Sequence, residues 1–166
     1  AAFLGLTLME REKKIFLENP QVQPTLENED YIVGRLLRPE ARKDIIDYLT
    51  EQEITPTAMM DISDGLSSDI LHICKQSNLG CRIYEEKIPI NEATKAAAFK
   101  FGLDPTVCAL NGGEDYELLF TMKQSDYDKI TLQAEISVIG YMCDKEEGTK
   151  IITKGNNVFD INAQGW

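Results

Sequence analysis

Positive charge is scarce in this chain of 166 residues. It carries 17 lysines and arginines against 28 aspartates and glutamates, which gives a net charge of −11. Binding to nucleic acid without sequence preference, or to an anionic membrane surface, depends on an excess of lysine and arginine. The composition therefore argues against both functions. An anionic substrate remains compatible with it if a bound metal ion supplies positive charge locally.

Long apolar runs are missing too. No stretch approaches the ~20 apolar residues that cross a bilayer, and no basic segment leads into an apolar stretch and a cleavage site as in a signal peptide. Residues 1–6 instead have the pattern of the middle of an amphipathic helix. Because the sequence starts inside such an element and without methionine, we expect the chain to be cut from a longer one.

Clusters of cysteine and histidine are absent as well. A zinc site and a disulfide framework are therefore not expected. Scattered cysteines in an acidic chain fit a reducing cytoplasm, and we expect them to act as small buried apolar residues. The chain contains no C-x-x-C pair. Its one histidine and four cysteines are His72, Cys74, Cys81, Cys108 and Cys143.

Two common catalytic motifs do not occur. The sequence has no G-x-x-x-x-G-K-[ST] phosphate-binding loop and no G-x-S-x-G nucleophile turn. His72 has no serine or cysteine motif as a partner, so it is expected to be structural rather than part of a catalytic triad.

What the sequence does contain is an acidic turn within residues 57–72. An apolar run that predicts a strand leads into Asp61, Asp64 follows three residues later, and a helical pattern begins at Leu66. Gly65 permits a sharp turn or a positive φ between the two elements. The segment therefore predicts a strand, a tight acidic turn and a helix.

Two interpretations of this turn remain open on local grounds. Carboxylates at the end of a strand, beside a hydroxyl and a helix start, suit a hard cation such as Mg²⁺. The simpler interpretation is that the polar side chains only cap the helix, because serine and aspartate are preferred there. The candidate caps are Ser63, Asp64, Ser67 and Ser68.

A second acidic cluster shifts the balance between these interpretations. Glu114, Asp115 and Glu117 follow a Gly-Gly hinge at the start of another predicted strand. Clustered carboxylates repel one another, which raises their pKa values unless a cation neutralises them. Phosphoryl transfer most often needs such a pocket, because its catalysis is mainly positioning and charge neutralisation. A glycosidase would use paired carboxylates differently, and the spacing does not exclude it.

The rest of the pattern predicts alternating helices and strands, hence a two- or three-layer α/β sandwich. We divide the chain into a helix and linker, 1–53, and an α/β domain, 54–166. Helices are predicted over 2–18, 40–52, 66–78, 92–101 and 124–134, and a short helix or turn over 104–110. Strands are predicted over 56–62, 81–86, 116–120 and 136–142, a hairpin over 150–159, a linker over 19–30 and an ordered crossing segment over 31–39.

The two acidic motifs together resemble the thiamine-monophosphate kinase family. They are Asp61-Ile-Ser-Asp-Gly-Leu66 followed by Asp69, and Gly112-Gly-Glu-Asp-Tyr-Glu-Leu118. The resemblance covers the C-terminal half of that family and runs through the whole chain. It implies an α/β (α+β) fold, a layered sandwich with a mixed sheet like the C-terminal domain of aminoimidazole ribonucleotide synthetase. Selenophosphate synthetase and a hydrogenase maturation factor share this architecture.

The resemblance implies transfer of the γ-phosphoryl group of ATP to thiamine phosphate, in the cytoplasm. By this resemblance Asp61 and Asp64 would be Mg²⁺ ligands, Ser63 would contact ATP, and Glu114 would contact thiamine phosphate. One alternative is a related ATP-dependent enzyme of the same superfamily with another phosphorylated substrate. Another is a non-catalytic binding domain whose acidic turns are only caps and surface charge.

The resemblance also implies parts that this chain lacks. The family's N-terminal domain supplies much of the ATP and metal site and the main dimer contact. We therefore expect this chain to be inactive alone and the full-length kinase to be a homodimer. An aromatic residue near the family's C-terminus touches the substrate, but Trp166 stands just before that position and is given no role. Asp69, Asp115 and Glu117 are likewise left without one.

Overall fold

A computed structural model describes residues 1–27, 29–131 and 133–163. No helix in these ranges is long and apolar enough to cross a membrane. Helices cover Ala2–Glu18 (α1), Asp30–Leu37 (α2), Lys43–Glu51 (α3), Leu66–Ser77 (α4), Glu92–Lys100 (α5), Pro105–Asn111 (α6) and Tyr127–Ile130 (α7). Strands cover Ala58–Asp61 (β1), Gly80–Tyr84 (β2), Leu118–Thr121 (β3), Gly140–Cys143 (β4), Thr149–Ile152 (β5) and Val158–Asp160 (β6).

The strands form two sheets. In the smaller one β1 pairs antiparallel with β3, from Ala58 opposite Thr121 to Asp61 opposite Leu118. The larger sheet has the order β4-β2-β5-β6, in which β2 and β5 are parallel and the other neighbours antiparallel. The predicted mixed α/β fold is confirmed, including the hairpin formed by β5 and β6.

Helix α4 lies over the larger sheet and closes the main core. Its apolar residues recur at helical spacing, as the sequence predicts, and meet Cys81 and Ile83 of β2 and Ile151 of β5. The helix ends where expected, at Asn78, whose φ of 55° is left-handed. The buried stripe of α4 consists of Leu66, Ile70, Ile73 and Cys74.

A second core joins helix α1 to the rest of the chain. Leu4 and Leu8 of α1 are buried together with Ile32 of α2, and α5 and α6 complete the cluster. Helices α1 and α2 cross closely at Gly5, where a Cβ would lie 2.4 Å from the Ile32 carbonyl oxygen. Residues of 1–53 and 54–166 thus share a core, while the domain division at residue 53 stays a prediction.

The cysteines behave as small buried residues. Cys74, Cys81 and Cys108 are buried thiols, and Cys143 is half-buried. Burial raises the pKa of Cys81 to about 12. None of the four forms a disulfide.

Four segments differ from the predictions. Residues 31–39 are mostly helix α2, and the helix expected over 124–134 shortens to a 3₁₀ turn and α7. The predicted strand 136–142 begins only at Gly140: one more hydrogen bond, from the Tyr84 N–H to the Ile139 carbonyl at 2.8 Å, continues the pairing before β2 enters a 3₁₀ turn. The strand predicted from Tyr116 starts at Leu118, since the φ of 52° at Tyr116 is incompatible with a strand.

Candidate functional site

The acidic turn connects β1 to α4 and depends on one glycine. Gly65 has φ 114° and ψ 151°, a region of backbone conformation that is nearly confined to glycine. A Cβ at this position would lie 2.8 Å from the Leu110 carbonyl oxygen of α6. The predicted tight turn is confirmed, and its shape is fixed by contact with α6.

The side chains expected as helix caps do not cap α4. The N-cap position is Gly65 itself, and no side chain accepts a hydrogen bond there. The capping interpretation is therefore wrong for this helix. The carboxylate of Asp64 is exposed and makes no hydrogen bond or ion pair with any described residue.

Asp69 organises the turn from the first turn of α4. Its side chain is 1% exposed and accepts hydrogen bonds from the backbone N–H groups of Ser63 (3.0 Å) and Asp64 (3.3 Å). Burial raises the pKa of Asp69, although these hydrogen bonds act in the opposite direction. Asp69 is therefore a structural acceptor rather than a free carboxylate.

We expect Asp69→Ala to lower the free energy of unfolding by about 2–3 kcal/mol, because two backbone N–H groups lose a charged acceptor and a buried side chain is removed. Asp69→Asn should cost less, since the amide oxygen can still accept. Urea unfolding of the two variants and the wild type measures the difference. Equal stability of Asp69→Ala and the wild type would show that water replaces the carboxylate without cost.

The second acidic segment lies directly against this turn. Three backbone hydrogen bonds of 2.8 Å join the two loops: Glu114 N–H to Ser63, Tyr116 N–H to Ile62, and Ile62 N–H to Glu117. They extend the pairing of β1 with β3 beyond the strands. The structure thus brings together two motifs that are ~50 residues apart in sequence. Of the four predicted site residues, Asp61 ends β1 and the other three lie on these two loops.

Arginines neutralise one carboxylate of the second loop. Glu117 pairs with Arg35 of α2 at 2.8 Å and with Arg42, just before α3, at 2.6 Å. Arg35 also donates to the backbone carbonyl of Asp115. Neither arginine is predictable from the sequence, because no local signal connects Arg42 to a glutamate 75 positions away, and Arg35 lies still farther from it along the chain.

Asp115 has a different structural partner. Its Oδ1 accepts a hydrogen bond from the backbone N–H of Ala2 at 3.2 Å. This carboxylate therefore sits at the start of α1, where the helix dipole favours negative charge. With Glu117 and Asp69 also engaged, three of the six clustered carboxylates have structural roles.

The remaining carboxylates belong to the three acidic residues predicted to bind ligands. Asp61 and Asp64 are exposed, and neither side chain makes a hydrogen bond or ion pair with a described residue. Glu114 is exposed and accepts a hydrogen bond from the Tyr116 hydroxyl at 2.6 Å. Ser63 lies between the two aspartates and is half-buried.

These donors fit a particular kind of metal site. No three histidine, cysteine, aspartate or glutamate side chains within 1–27, 29–131 and 133–163 are grouped to hold an ion by themselves. Mg²⁺ is commonly held by one or two carboxylates, with phosphate oxygens and water as its other ligands. Two free aspartates beside a hydroxyl match that donor set, whereas a metal that needs a complete protein cage does not fit.

A cleft of about 1070 Å³ lies between the two sheets, behind the second loop. Its walls include Ile62, Leu66 and Leu119, and Arg35 and Glu117 contribute to the lining. None of the four predicted site residues lines it. The free carboxylates therefore lie outside this cleft.

The two-loop arrangement can be compared with known families. Residues 5–152 match the model of the AIR synthase related protein, C-terminal domain. The chain belongs to this family. The AIR synthase-like fold expected from the acidic motifs is thereby confirmed.

Curated relatives narrow the similarity further. The chain is 35% identical over 147 residues to the thiamine-monophosphate kinase of Aquifex aeolicus, which covers 85% of this chain and 44% of that protein. The Escherichia coli thiamine-monophosphate kinase is 34% identical over 137 residues, which is 78% of this chain and 40% of that protein. The predicted resemblance to this family is confirmed. The chain spans less than half the length of these relatives.

Solved structures of the same kinase family also resemble this chain. AaThiL complexed with AMPPCP and TMP superposes with a TM-score of 0.73 at 30% identity, covering 99% of this chain and 47% of that chain. The hydrogenase maturation protein HypE in complex with ATP reaches a TM-score of 0.59 at 17% identity, over 74% of this chain and 40% of that chain. This second likeness shows a shared fold alone.

Proposed function

We propose that this chain is the C-terminal domain of a thiamine-monophosphate kinase, which transfers the γ-phosphoryl group of ATP to thiamine phosphate and forms thiamine diphosphate. The observation that supports it best is the junction of the two acidic loops, which leaves Asp61 and Asp64 free beside Ser63. The similarity to AaThiL complexed with AMPPCP and TMP supports ATP and thiamine phosphate as ligands. We place the enzyme in the cytoplasm.

Each residue has a defined part in this proposal. Asp61 and Asp64 hold Mg²⁺, whose charge would neutralise the phosphate oxygens during transfer. Ser63 contacts ATP. Glu114 contacts thiamine phosphate, and its charge favours the cationic thiazolium ring.

The chain offers no convincing general base, and the reaction does not need one. A phosphate monoester has a second pKa of about 6, so the acceptor oxygen is already ionised at neutral pH. Catalysis then rests on positioning of the two phosphates and on charge neutralisation. The rigid backbone link between the two loops serves that positioning.

The proposal includes partners beyond this chain. Because the chain spans less than half of the relatives' length, we propose that a further N-terminal domain completes the ATP and metal site. The chain alone is then inactive, and the full-length kinase is a homodimer.

The test is product formation by the full-length protein with MgATP and thiamine phosphate, followed chromatographically as thiamine diphosphate. We expect turnover with thiamine phosphate, none with thiamine, and none after chelation of the divalent metal. The 166-residue chain alone is expected to form no product. Turnover of another phosphorylated acceptor instead would point to a related ATP-dependent enzyme of the same family.

A further inference from the structure

Tyr116 bonds to the acidic turn through its backbone N–H, which donates to the Ile62 carbonyl, and to Glu114 of its own loop through its side chain. Its hydroxyl donates to Oε2 of Glu114 at 2.6 Å. This hydrogen bond raises the pKa of Tyr116, and the nearby charge of Asp61 contributes in the same direction. The hydroxyl therefore contacts a proposed substrate ligand directly, while the backbone N–H of Tyr116 is bonded to Ile62, the neighbour of the proposed metal ligand Asp61.

The backbone around this contact is held in an uncommon conformation. Glu114 and Tyr116 have φ values of 66° and 52°, which residues other than glycine adopt rarely. Both N–H groups are tied to the acidic turn, at the carbonyls of Ser63 and Ile62. Left-handed non-glycine residues are maintained only where the surroundings enforce them, and they concentrate at functional sites.

The Glu114 carboxylate could bind either the metal ion or the cationic ring of the acceptor, and its hydrogen bond with Tyr116 bears on which of the two it binds. Its backbone is hydrogen-bonded to Ser63, between Asp61 and Asp64 in sequence. A bound divalent cation would attract a third mobile carboxylate, since opposite charges at short range interact strongly. A carboxylate engaged by the metal is no longer available to an organic cation.

We propose that Tyr116 is a positioning residue, which holds the Glu114 carboxylate away from the metal held by Asp61 and Asp64 and keeps it available for the cationic ring of the acceptor. This rests on the function proposed above. Tyr116 acts through Glu114 and does not itself react.

The first test measures metal binding and needs no turnover. Mn²⁺ is titrated into the metal-free full-length protein and followed by its electron paramagnetic resonance signal. We expect Tyr116→Phe to bind Mn²⁺ about tenfold more tightly, because the freed Glu114 adds a third charged ligand. The double variant Tyr116→Phe/Glu114→Gln should return to the wild-type affinity. Tyr141→Phe, which removes the hydroxyl of an exposed tyrosine in β4, is the matched control.

The second test is kinetic and uses the full-length protein. Tyr116→Phe should raise the KM for thiamine phosphate about five- to tenfold, the effect of one hydrogen bond, with the KM for MgATP and kcat within about twofold of wild type. A loss of fold would instead change all three and the unfolding midpoint.

The outcomes separate the two proposals. Unchanged Mn²⁺ affinity in Tyr116→Phe, or tighter binding that persists in the double variant, overturns the role of Tyr116. An unchanged KM for thiamine phosphate overturns its link to the acceptor. If wild-type protein does not use thiamine phosphate at all, the proposed function fails, while the Mn²⁺ titration still decides whether Tyr116 restrains Glu114.

Discussion

Asp64→Asn in the full-length protein, if it is the proposed kinase, is expected to lower kcat by about 10²- to 10³-fold, the usual effect of removing one group that stabilises transition-state charge. The free energy of unfolding should stay within about 0.5 kcal/mol of wild type or rise slightly. The carboxylate forms no hydrogen bond or ion pair with a described residue, and it lies near the buried charge of Asp69. Removing its charge therefore costs no contact and relieves repulsion.

The measurements are the initial rate at saturating thiamine phosphate and MgATP, and urea unfolding of the same preparations. Asp128→Asn is a matched control, because Asp128 is an exposed aspartate on α7, outside both loops. We expect this control to leave rate and stability unchanged. The contrast between the two variants separates a site effect from a general effect of lost negative charge.

The non-catalytic alternative predicts a different result. If the acidic turn served only the fold, Asp64→Asn would leave the rate unchanged and would alter stability by about 0.5–2 kcal/mol, the range for a lost cap. The structure already weakens this alternative, because α4 has no side-chain cap. Equal rates for Asp64→Asn and wild type would still require the metal site to be placed elsewhere.

Local signals explain what could be predicted from the sequence. The turn at Gly65, the helix that follows it and the left-handed end at Asn78 each depend on neighbouring residues, and the structure contains all three. The hairpin of β5 and β6 could be predicted in the same way, because a Gly-Asn-Asn turn lies between two strand-like segments. In each case the residues that predict the feature are the same few residues that form it, so no distant contact is needed.

The division of labour among the acidic residues could not be predicted in this way. Asp69, Asp115 and Glu117 look much like Asp61 and Asp64 in sequence. Their roles depend on partners from distant segments, namely backbone N–H groups of the turn, the start of α1, and the two arginines of the helical region. Such pairs arise only when the chain is folded, so composition and spacing do not distinguish a structural carboxylate from a free one.

The start of β4 at Gly140 also depends on a distant segment and could not be predicted from the local sequence. Residues 136–139 have a strand-like sequence but lie outside any strand, because β2 turns into a 3₁₀ helix at Glu85, directly after the Tyr84 N–H donates to the Ile139 carbonyl. A strand requires a partner as well as a pattern. The availability of that partner depends on where another segment turns, which the sequence of 136–139 does not encode.

Gly65→Ala is expected to lower the free energy of unfolding by about 3–4 kcal/mol. The backbone conformation at φ 114° costs a non-glycine residue about 1–3 kcal/mol. The added Cβ would also lie 2.8 Å from the Leu110 carbonyl oxygen and 3.1 Å from two backbone atoms of Asn111, so α4 and α6 would have to separate. Overpacking of this kind typically adds about 1–3 kcal/mol.

Two other glycines serve to separate the cost of the backbone conformation from the cost of overpacking. At Gly102 φ is 69° and a Cβ would meet nothing within 4 Å, so Gly102→Ala carries the conformational cost alone, about 1–2 kcal/mol. Gly34 lies in α2 with open space around it, and Gly34→Ala should stabilise the protein by about 0.5–1 kcal/mol. Urea unfolding of the three variants measures all of these differences.

The functional consequence of Gly65→Ala follows from the hydrogen bonds that leave the turn. Ser63 and Ile62 hold the second loop at Glu114 and Tyr116, so a displaced turn moves the proposed metal and acceptor ligands relative to each other. A misplacement of about 1 Å at such a site costs about 10²-fold in rate. Gly65→Ala should therefore lose activity under conditions where it is still folded, whereas Gly102→Ala should retain it. If both variants lose the same stability and neither loses activity, the turn tolerates displacement and the rigid link between the loops is not what positions the ligands.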